Sequence, residues 1–297
     1  MYNKILVPLD GSPFCAQALP YVRMLGTALK CPVELLRIFE PEPVYYWPSI
    51  GNYQERAQAA ARHRDEVLHS LGPIGDSLKT LGISVTTTVH EPSPRSQEPP
   101  DPSHIAVTPA QHIVEEAGKD SDTLIVMGTH GRSGIGRWVM GSVIDKVLHA
   151  TANPLMIVRC KEESAPGDVK LDAIILPWDG SAVAEQVWPH AVALSKSLGV
   201  KLHLVTIIPP DRSHALEEDH LRRIGDRLVQ DGAHSYDTSL LHGDPGNAIV
   251  EMTHEFPDAL VAMTTHGRSG VGRWVLGSVA DKVVRHAAGP VLVTRAA

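Results

Sequence analysis

The chain has 297 residues, of which 43% are hydrophobic and 21% are charged, which is the composition of a soluble globular protein. This length suffices for two domains that each bury a core, and no apolar run approaches the length of a membrane span. The formal net charge of −7 argues against a nucleic-acid-binding protein, which would present a basic surface.

The first residues, MYNKILVPLDGS, lead directly into a predicted strand and show none of the three regions of a signal peptide. The three cysteines, Cys15, Cys31 and Cys160, are widely spaced and form no CxxC pair. We interpret them as small buried side chains in a reducing compartment, which predicts a cytoplasmic location.

The first predicted elements are a strand, a turn and a helix. ILVPL (5–9) is a short apolar run typical of a buried parallel strand. The Asp-Gly-Ser turn that follows offers Ser12 as a helix N-cap and Pro13 as the first helical residue. The next residues are apolar at a spacing that places them on one helix face, at Ala18, Val22, Leu25 and Leu29. VELLRI (33–38) is the second predicted strand.

The stretch that follows the second strand is irregular in composition. Residues 40–53 concentrate aromatic side chains, which we interpret as packing against the other half of the chain or a second chain. A partner-docking patch and a lid over a ligand are the alternatives. Residues 54–71 predict a helix, and the proline-rich residues 91–104 predict an extended, mobile loop.

A glycine-rich motif comes next, at the end of the predicted strand TLIVMG (123–128). Its spacing is Gly128-x2-Gly131-x9-Gly141-Ser142, so the last glycine and the serine begin a helix. Glycine lets a ligand approach the backbone closely, and a helix N-terminus attracts anions. The first half then ends with the predicted strand PLMIV (154–158).

The loop of this motif also carries charge. Arg132 and Arg137 bring two guanidinium groups, which suit a polyphosphate; glycines that only form turns, with solvated arginines, are the alternative. His130, and His266 in the second half, lie in equivalent loops. We interpret both histidines as stabilising or passive, because no carboxylate in the motif is spaced to orient them for catalysis.

The second half of the chain repeats the first. LDAIILPWDGSA, from Leu171, resembles the N-terminal stretch, and Asp179 matches Asp10 at an offset of 169. From Thr108 onward the offset is 136, and residues 129–159 share 19 of 31 positions with residues 265–295. The chain is therefore predicted to be a duplicated domain, 1–160 and 168–297, with an insertion at about 40–106 in the first copy.

The alternation of strands and helices predicts an α/β fold, with a parallel sheet and helices on both of its faces. Ligands of such sheets bind beyond the carboxyl ends of the strands, so Asp10 and the Gly128 loop can share one site. The chain contains no P-loop, no G-x-G-x-x-G motif opening a helix after the first strand, and no G-x-S-x-G nucleophile elbow.

The G-2x-G-9x-G-S spacing, the ILVPLDGS stretch and the closing NPLMIVR strand together resemble the universal stress protein family, over nearly the whole chain and in two tandem copies. The resemblance implies a five-stranded, Rossmann-like parallel sheet of the adenine-nucleotide alpha-hydrolase type in each half. It also implies that the protein binds ATP, alone or with Mg²⁺.

The resemblance assigns site residues to both halves. Gly131, Gly141, Ser142 and Val143 would meet the phosphates, Asp10 would lie near the ribose, and the backbone of Ile38 would meet the adenine. Pro8, Met127, Gly128 and Arg132 complete the first candidate site. The second candidate site comprises Pro177, Asp179, Ile207, Gly267, Arg268, Gly277, Ser278 and Val279.

One position departs from the family pattern, because Thr264 stands where the first half has Gly128. This puts nucleotide binding by the second half in doubt. The resemblance implies a cytoplasmic stress-response regulator whose two domains pair with each other, with a homodimer as a further state. The alternatives are a slow ATPase or nucleotidyl-transfer enzyme using the same site, and a scaffold that binds no nucleotide. No residue pattern in the sequence predicts a catalytic group or a metal site.

Overall fold

The computed structural model describes residues 2–38, 53–90, 108–129, 140–160, 167–208, 214–265 and 276–296. The elements of the first half are β1 (Lys4–Pro8), α1 (Pro13–Ala16), α2 (Leu19–Leu29), β2 (Val33–Ile38), α3 (Tyr53–Lys79), β3 (Val85–His90), α4 (Pro109–Gly118), β4 (Thr123–Thr129), α5 (Ser142–Ala150) and β5 (Leu155–Arg159). Those of the second half are β6 (Ala173–Pro177), α6 (Trp188–Leu198), β7 (Lys201–Ile207), α7 (His214–Gln230), β8 (Tyr236–Leu241), α8 (Pro245–Glu255), β9 (Ala259–Thr264), α9 (Ser278–His286) and β10 (Val291–Thr294).

The ten strands form one sheet in the order β3-β2-β1-β4-β5-β10-β9-β6-β7-β8. Within each half every neighbouring pair of strands is parallel, which confirms the predicted α/β fold with parallel sheets. Successive residues of β1 enter different cores: Ile5 packs on one face of the sheet and Leu6 on the other, both fully buried. This double burial explains why the strands are continuous apolar runs.

The two halves meet where β5 pairs antiparallel with β10. Met156 lies opposite Leu292, and their numbers differ by the repeat offset of 136 (292 − 156). On either side, Ile157 pairs with Val291 and Leu155 pairs with Val293. Because Val291 is the repeat equivalent of Leu155 and Val293 that of Ile157, the two pairs are related by a local twofold axis. The expected pairing of the two domains is therefore present within the chain; it joins their last strands and covers the strand edges that each half would otherwise expose.

The helix expected directly after the Asp-Gly-Ser turn is divided in two. Pro13 does begin a helix, but α1 ends at Ala16 and α2 starts at Leu19 with Pro20 in its first turn. A proline at position 20 of a continuous helix would clash with the carbonyl of the fourth residue before it, so the chain makes a turn there instead. Pro189 stands at the same place in α6, which follows a 3-10 turn.

The extra residues of the first half fall in two places within the region 40–106. Between β2 and β3 the first half has 46 residues (39–84), whereas 28 residues (208–235) separate β7 from β8. Between β3 and α4 it has 18 residues (91–108), against three (242–244) between β8 and α8. Strand β3 and helix α3 therefore have counterparts in β8 and α7, and they belong to the repeated fold rather than to an insertion.

Candidate functional site

The order of the strands brings the predicted site residues of the first half to one edge of the sheet. Strand β1 lies between β2 and β4, so the carboxyl ends at Pro8, Ile38 and Gly128 are neighbours. From β1 the chain proceeds to β2 and β3 on one side, and later to β4 and β5 on the other. The crevice at such a reversal of strand order is the usual ligand site of an open α/β sheet. The second half has the same arrangement, with Pro177, Ile207 and Thr264.

The aspartate after the first strand of each half closes a tight turn. A carboxylate oxygen of Asp10 accepts a hydrogen bond from the Ser12 backbone at 2.8 Å, and Gly11 between them has a φ of +80°. Glycine is required at such a positive φ. In the second half, Asp179 accepts from the Ser181 backbone at 3.0 Å and from its hydroxyl at 2.6 Å. The serine rather than the aspartate caps the first helix, since Ser12 Oγ accepts from the backbone of Cys15 at 3.3 Å.

Gly141 is the N-cap of α5, at the predicted start of the helix. Its φ of −58° suits any residue, and a Cβ built on it would meet no atom within 4 Å in the part of the chain that the structure describes. Neither backbone strain nor packing against the described residues therefore requires glycine here. Ser142, the first helical residue, is exposed. The N-terminus of α5 thus presents backbone N–H groups and an open approach, which suits an anion.

Gly277 has the same role at the start of α9. It is the N-cap, its φ is −62°, and its N–H donates to the carbonyl of Thr265 at 2.8 Å. Ser278 is exposed and Val279 is half-buried, as are Ser142 and Val143 of the first half. The two helix starts are therefore alike in conformation and exposure.

Gly128 and Thr264 both have ordinary strand pairing. Gly128 pairs with Val158 inside β4, and Thr264 pairs with Thr294 at the end of β9. A positive φ is therefore not the reason for glycine at position 128, and a threonine can adopt the same extended backbone. Any effect of Thr264 on a ligand must come from its side chain.

Arg37, on β2, is a neighbour of this site that the sequence analysis missed. Its guanidinium donates to the carbonyl of Leu9 at 3.1 Å, and a Cβ on Gly11 would lie 2.9 Å from Arg37 Nη1. This places a permanent positive charge beside the turn that holds Asp10. The signal was a basic residue next to the end of strand β2, at the position that Thr206 occupies in the second copy of the repeat.

Two cysteines lie close to this turn, and both are buried. Burial, supported by a hydrogen bond to Asp10, raises the pKa of Cys15 to about 11. Burial and the neighbouring Cys15 raise the pKa of Cys160 to about 12. Both side chains are therefore neutral thiols near pH 7, which are poor nucleophiles.

Several predicted residues lie outside the described part of the chain. They are Gly131, Arg132, Arg137 and His130 in the first half, Gly267, Arg268 and His266 in the second, and the aromatic residues of 40–52. The predictions for them stay predictions. Among the described residues, no three His, Cys, Asp or Glu side chains are arranged to hold a metal ion. No helix in that part of the chain is long and apolar enough to span a bilayer.

A model of the universal stress protein family matches the chain twice, over residues 1–159 and 170–295. The chain belongs to the universal stress protein family. A universal stress protein of Mycolicibacterium smegmatis is 26% identical over 98% of this chain and 96% of its own length. One of Methanocaldococcus jannaschii is 28% identical over 41% of this chain and 81% of its own length.

Solved universal stress proteins share the fold. The crystal structure of one from Archaeoglobus fulgidus superposes with a TM-score of 0.73 at 19% identity, covering 99% of each chain. One from Pseudomonas aeruginosa superposes with a TM-score of 0.66 at 15% identity, covering 99% of this chain and 94% of its own. A universal stress protein solved in complex with cAMP matches 42% of this chain at 26% identity, with a TM-score of 0.37 and 98% of its own chain covered.

Proposed function

We propose that this universal stress protein is a cytoplasmic regulatory module that binds ATP at the carboxyl edge of its first half, and more weakly at the equivalent edge of the second. The observation that carries the proposal is Gly141. Glycine stands at the start of α5 although neither its φ nor the described residues around it require glycine. Close approach of a ligand to the backbone is one physical reason for glycine at that position, and the second half repeats the Gly-Ser helix start at Gly277.

In this proposal each half holds the nucleotide by the same parts. The first turn of α5, with Ser142 and Val143, and the loop glycine Gly131 bind the phosphates, and Arg132 adds positive charge. Asp10 lies beside the ribose or a bound Mg²⁺, and the backbone of Ile38 meets the adenine, between Pro8 and the Met127–Gly128 strand end. The second site uses the matching residues, namely Pro177, Asp179, Ile207, Gly267, Arg268, Gly277, Ser278 and Val279.

Regulation rather than catalysis follows from the chemistry of the groups at this edge. Cys15, the nearest thiol, has a raised pKa, and the Asp10 carboxylate is engaged in its own turn. Among the described residues, the site thus offers donors for an anion but no poised base or nucleophile. Three buried cysteines that form no disulfide support the cytoplasmic assignment. We propose 1–160 and 168–297 as the domain boundaries.

The test is the affinity of the Gly141→Asp variant for ATP, measured by calorimetry in the presence of Mg²⁺. A carboxylate at the start of α5 repels the phosphates, so the first site should be lost, with affinity falling by at least about 100-fold. The fold should survive, since aspartate is a favoured N-cap. Gly167→Asp is the matched control, because it adds the same charge at an exposed position in the linker where a Cβ meets nothing.

Unchanged ATP binding in Gly141→Asp, once the second site is disabled by Gly277→Asp, would refute the proposal. Mass analysis of nucleotide released from purified protein separates the alternatives. Intact ATP supports a binding module, whereas ADP or AMP supports turnover and thus the enzyme. Absence of any bound or bindable adenine nucleotide supports the scaffold.

A further inference from the structure

A cavity of about 370 Å³ lies where the second half meets the end of β5. Helices α8 and α9 of the second half form most of its wall, and the first half contributes one arginine. The residues that line it are Arg159, Asn247, Val250, His254, Lys282 and His286. This volume is within the range of pockets that hold small organic ligands, about 300–1,000 Å³.

The described lining residues are rich in hydrogen-bond donors and include no carboxylate, although the carboxylate of Asp244 pairs with Lys282. Arg159 and Lys282 are cations, His254 and His286 each offer an imidazole, and Asn247 offers an amide. Only Val250 is apolar. Such a surface is unusual in a chain whose net charge is −7. A wall of donors and cations complements an oxyanion.

Both cations are held in place by neighbouring groups. Arg159 Nη1 donates to the carbonyl of Ala287 at 2.6 Å and to that of His286 at 3.2 Å, at the C-terminus of α9. The Lys282 ammonium lies 3.0 Å from a carboxylate oxygen of Asp244, and its stem packs over Gly246, where a Cβ would lie 2.6 Å from Lys282 Cδ. Fixed donors lose less conformational entropy when a ligand binds.

The pseudo-equivalent surface of the first half lacks part of this set. At the offset of 136, Arg295, Lys146 and Val114 match three of the lining residues, and Gln111 matches Asn247. The two histidines, however, are replaced by Gly118 and Ala150. The first half forms the same helices without them, so the fold does not require His254 or His286. Their presence calls for another explanation.

We propose that this cavity, with Arg159, Lys282, His254 and His286, binds a multivalent oxyanion, the chemistry of a phosphorylated or polycarboxylate metabolite. His254 and His286 lie in the last turns of α8 and α9, whereas the proposed nucleotide site of the second half is at the start of α9. These two histidines therefore lie at the helix ends away from the proposed nucleotide site, whereas Asn247 and Lys282 line the part of the cavity nearer to it.

The experiment is a calorimetric titration of the full chain with tripolyphosphate and, separately, with citrate. It uses the Gly141→Asp, Gly277→Asp background, so that the proposed nucleotide sites contribute least. Two further variants remove the donors: Lys282→Gln, and the pair His254→Gln with His286→Ala, of which the alanine is the first-half residue. Lys146→Gln is the matched control, since it removes the equivalent lysine of the first half.

We expect at least one of the two anions to bind, with affinity falling about ten-fold or more in each of the two donor variants and unchanged in Lys146→Gln. Tighter binding of tripolyphosphate assigns the site to phosphate compounds, and tighter binding of citrate assigns it to polycarboxylates. Binding of neither anion overturns the proposal. An equal loss in Lys146→Gln also overturns it, because the attraction would then be non-specific. The two histidines are exposed, so the histidine variant keeps the test valid even where Lys282→Gln lowers stability.

Discussion

The first and second halves satisfy the same backbone carbonyl with different side chains. In the first half the Arg37 guanidinium donates to Leu9, and in the second half the Thr206 hydroxyl donates to Trp178 at 2.9 Å. Both donors stand at the same point of the repeat, 169 residues apart (206 − 37). The hydrogen bond is thus kept while the charge is not. A shared fold therefore does not imply equal electrostatics at the two candidate sites.

A second contrast lies on α4 and α8. Glu116 is buried, with His90 Nε2 at 2.9 Å and Lys119 Nζ at 2.7 Å, whereas the equivalent residue of the second half is Met252. Burial alone would raise the pKa of Glu116, but hydrogen bonds from Lys119 and His90 outweigh it and hold that pKa below its usual value. A cluster of charged side chains in one half and an apolar side chain in the other thus occupy equivalent positions. This is expected because the cost of desolvating buried charges offsets much of the attraction between them.

At the β5–β10 seam each half contributes an equivalent arginine, but the hydrogen bonds of the two arginines differ in length. Arg159, at the end of β5, donates to the last carbonyls of α9, and Arg295, just past β10, donates to those of Ala150 and Thr151 at the end of α5. Each half thus caps a helix of the other with a cation, which also favours the negative end of the helix dipole. The distances are 2.6 and 3.2 Å for Arg159 but 3.4 and 3.5 Å for Arg295.

The largest effect is expected from Leu292→Asp, which tests whether the halves depend on one another. Leu292 is fully buried at the centre of the seam, opposite Met156. A carboxylate there would have no partner, so stability should fall by about 4 kcal/mol or more, measured by denaturant unfolding. Leu216→Asp is the control, because Leu216 is 71% exposed and should change stability by less than about 0.5 kcal/mol. Independent tumbling of the two halves in the unmodified protein, detected by NMR relaxation, would contradict the seam as described.

The next largest effect is the difference between the two seam arginines in their contribution to the unfolding free energy. Arg159→Ala removes two well-formed, charge-assisted hydrogen bonds and should cost about 2 kcal/mol of unfolding free energy. Arg295→Ala removes longer contacts and should cost less than about 1 kcal/mol. Denaturant titration of the two variants side by side gives the comparison. Equal losses would mean that the local twofold symmetry extends to the energies.

The smallest effect concerns the two proposed ATP sites. Since Gly128 has ordinary strand geometry, the methyl and hydroxyl of Thr264 can act only by narrowing the approach to the strand end. We expect the first site to bind about ten-fold more tightly, or about 1.4 kcal/mol. Calorimetry on Asp10→Ala and Asp179→Ala, each of which weakens one site, measures the difference. Gly128→Thr should lower the ATP affinity of the first site and Thr264→Gly should raise that of the second, so that the two affinities become more alike. Equal residual affinities in the two aspartate variants would exclude the inequality.

Much of the fold could be predicted because its signals are local and occur twice. Short apolar runs marked β1, β2 and β4 and their counterparts, and Gly-Ser pairs marked the starts of α5 and α9. The division of the first helix was not predicted because the apolar spacing continues across it, whereas the break comes from Pro20, the second residue of α2. Helix α3 proved longer than residues 54–71, since its second part packs on β3 and is stabilised by tertiary contacts rather than by composition.

The candidate site divides in the same way. By itself the sequence determined which residues follow the strand ends and begin the helices, because these depend on neighbours a few positions away: Asp10 and its turn, Gly141 and its helix start. Only the tertiary structure decided that Arg37 lies against Leu9, 28 residues away, that Met156 faces Leu292, and that Arg159 reaches His286 across 127 residues. The physical reason is that the packing of the whole sheet determines which distant residues meet. The periodicity of the sequence predicts which face a residue lies on, but not its distant partner.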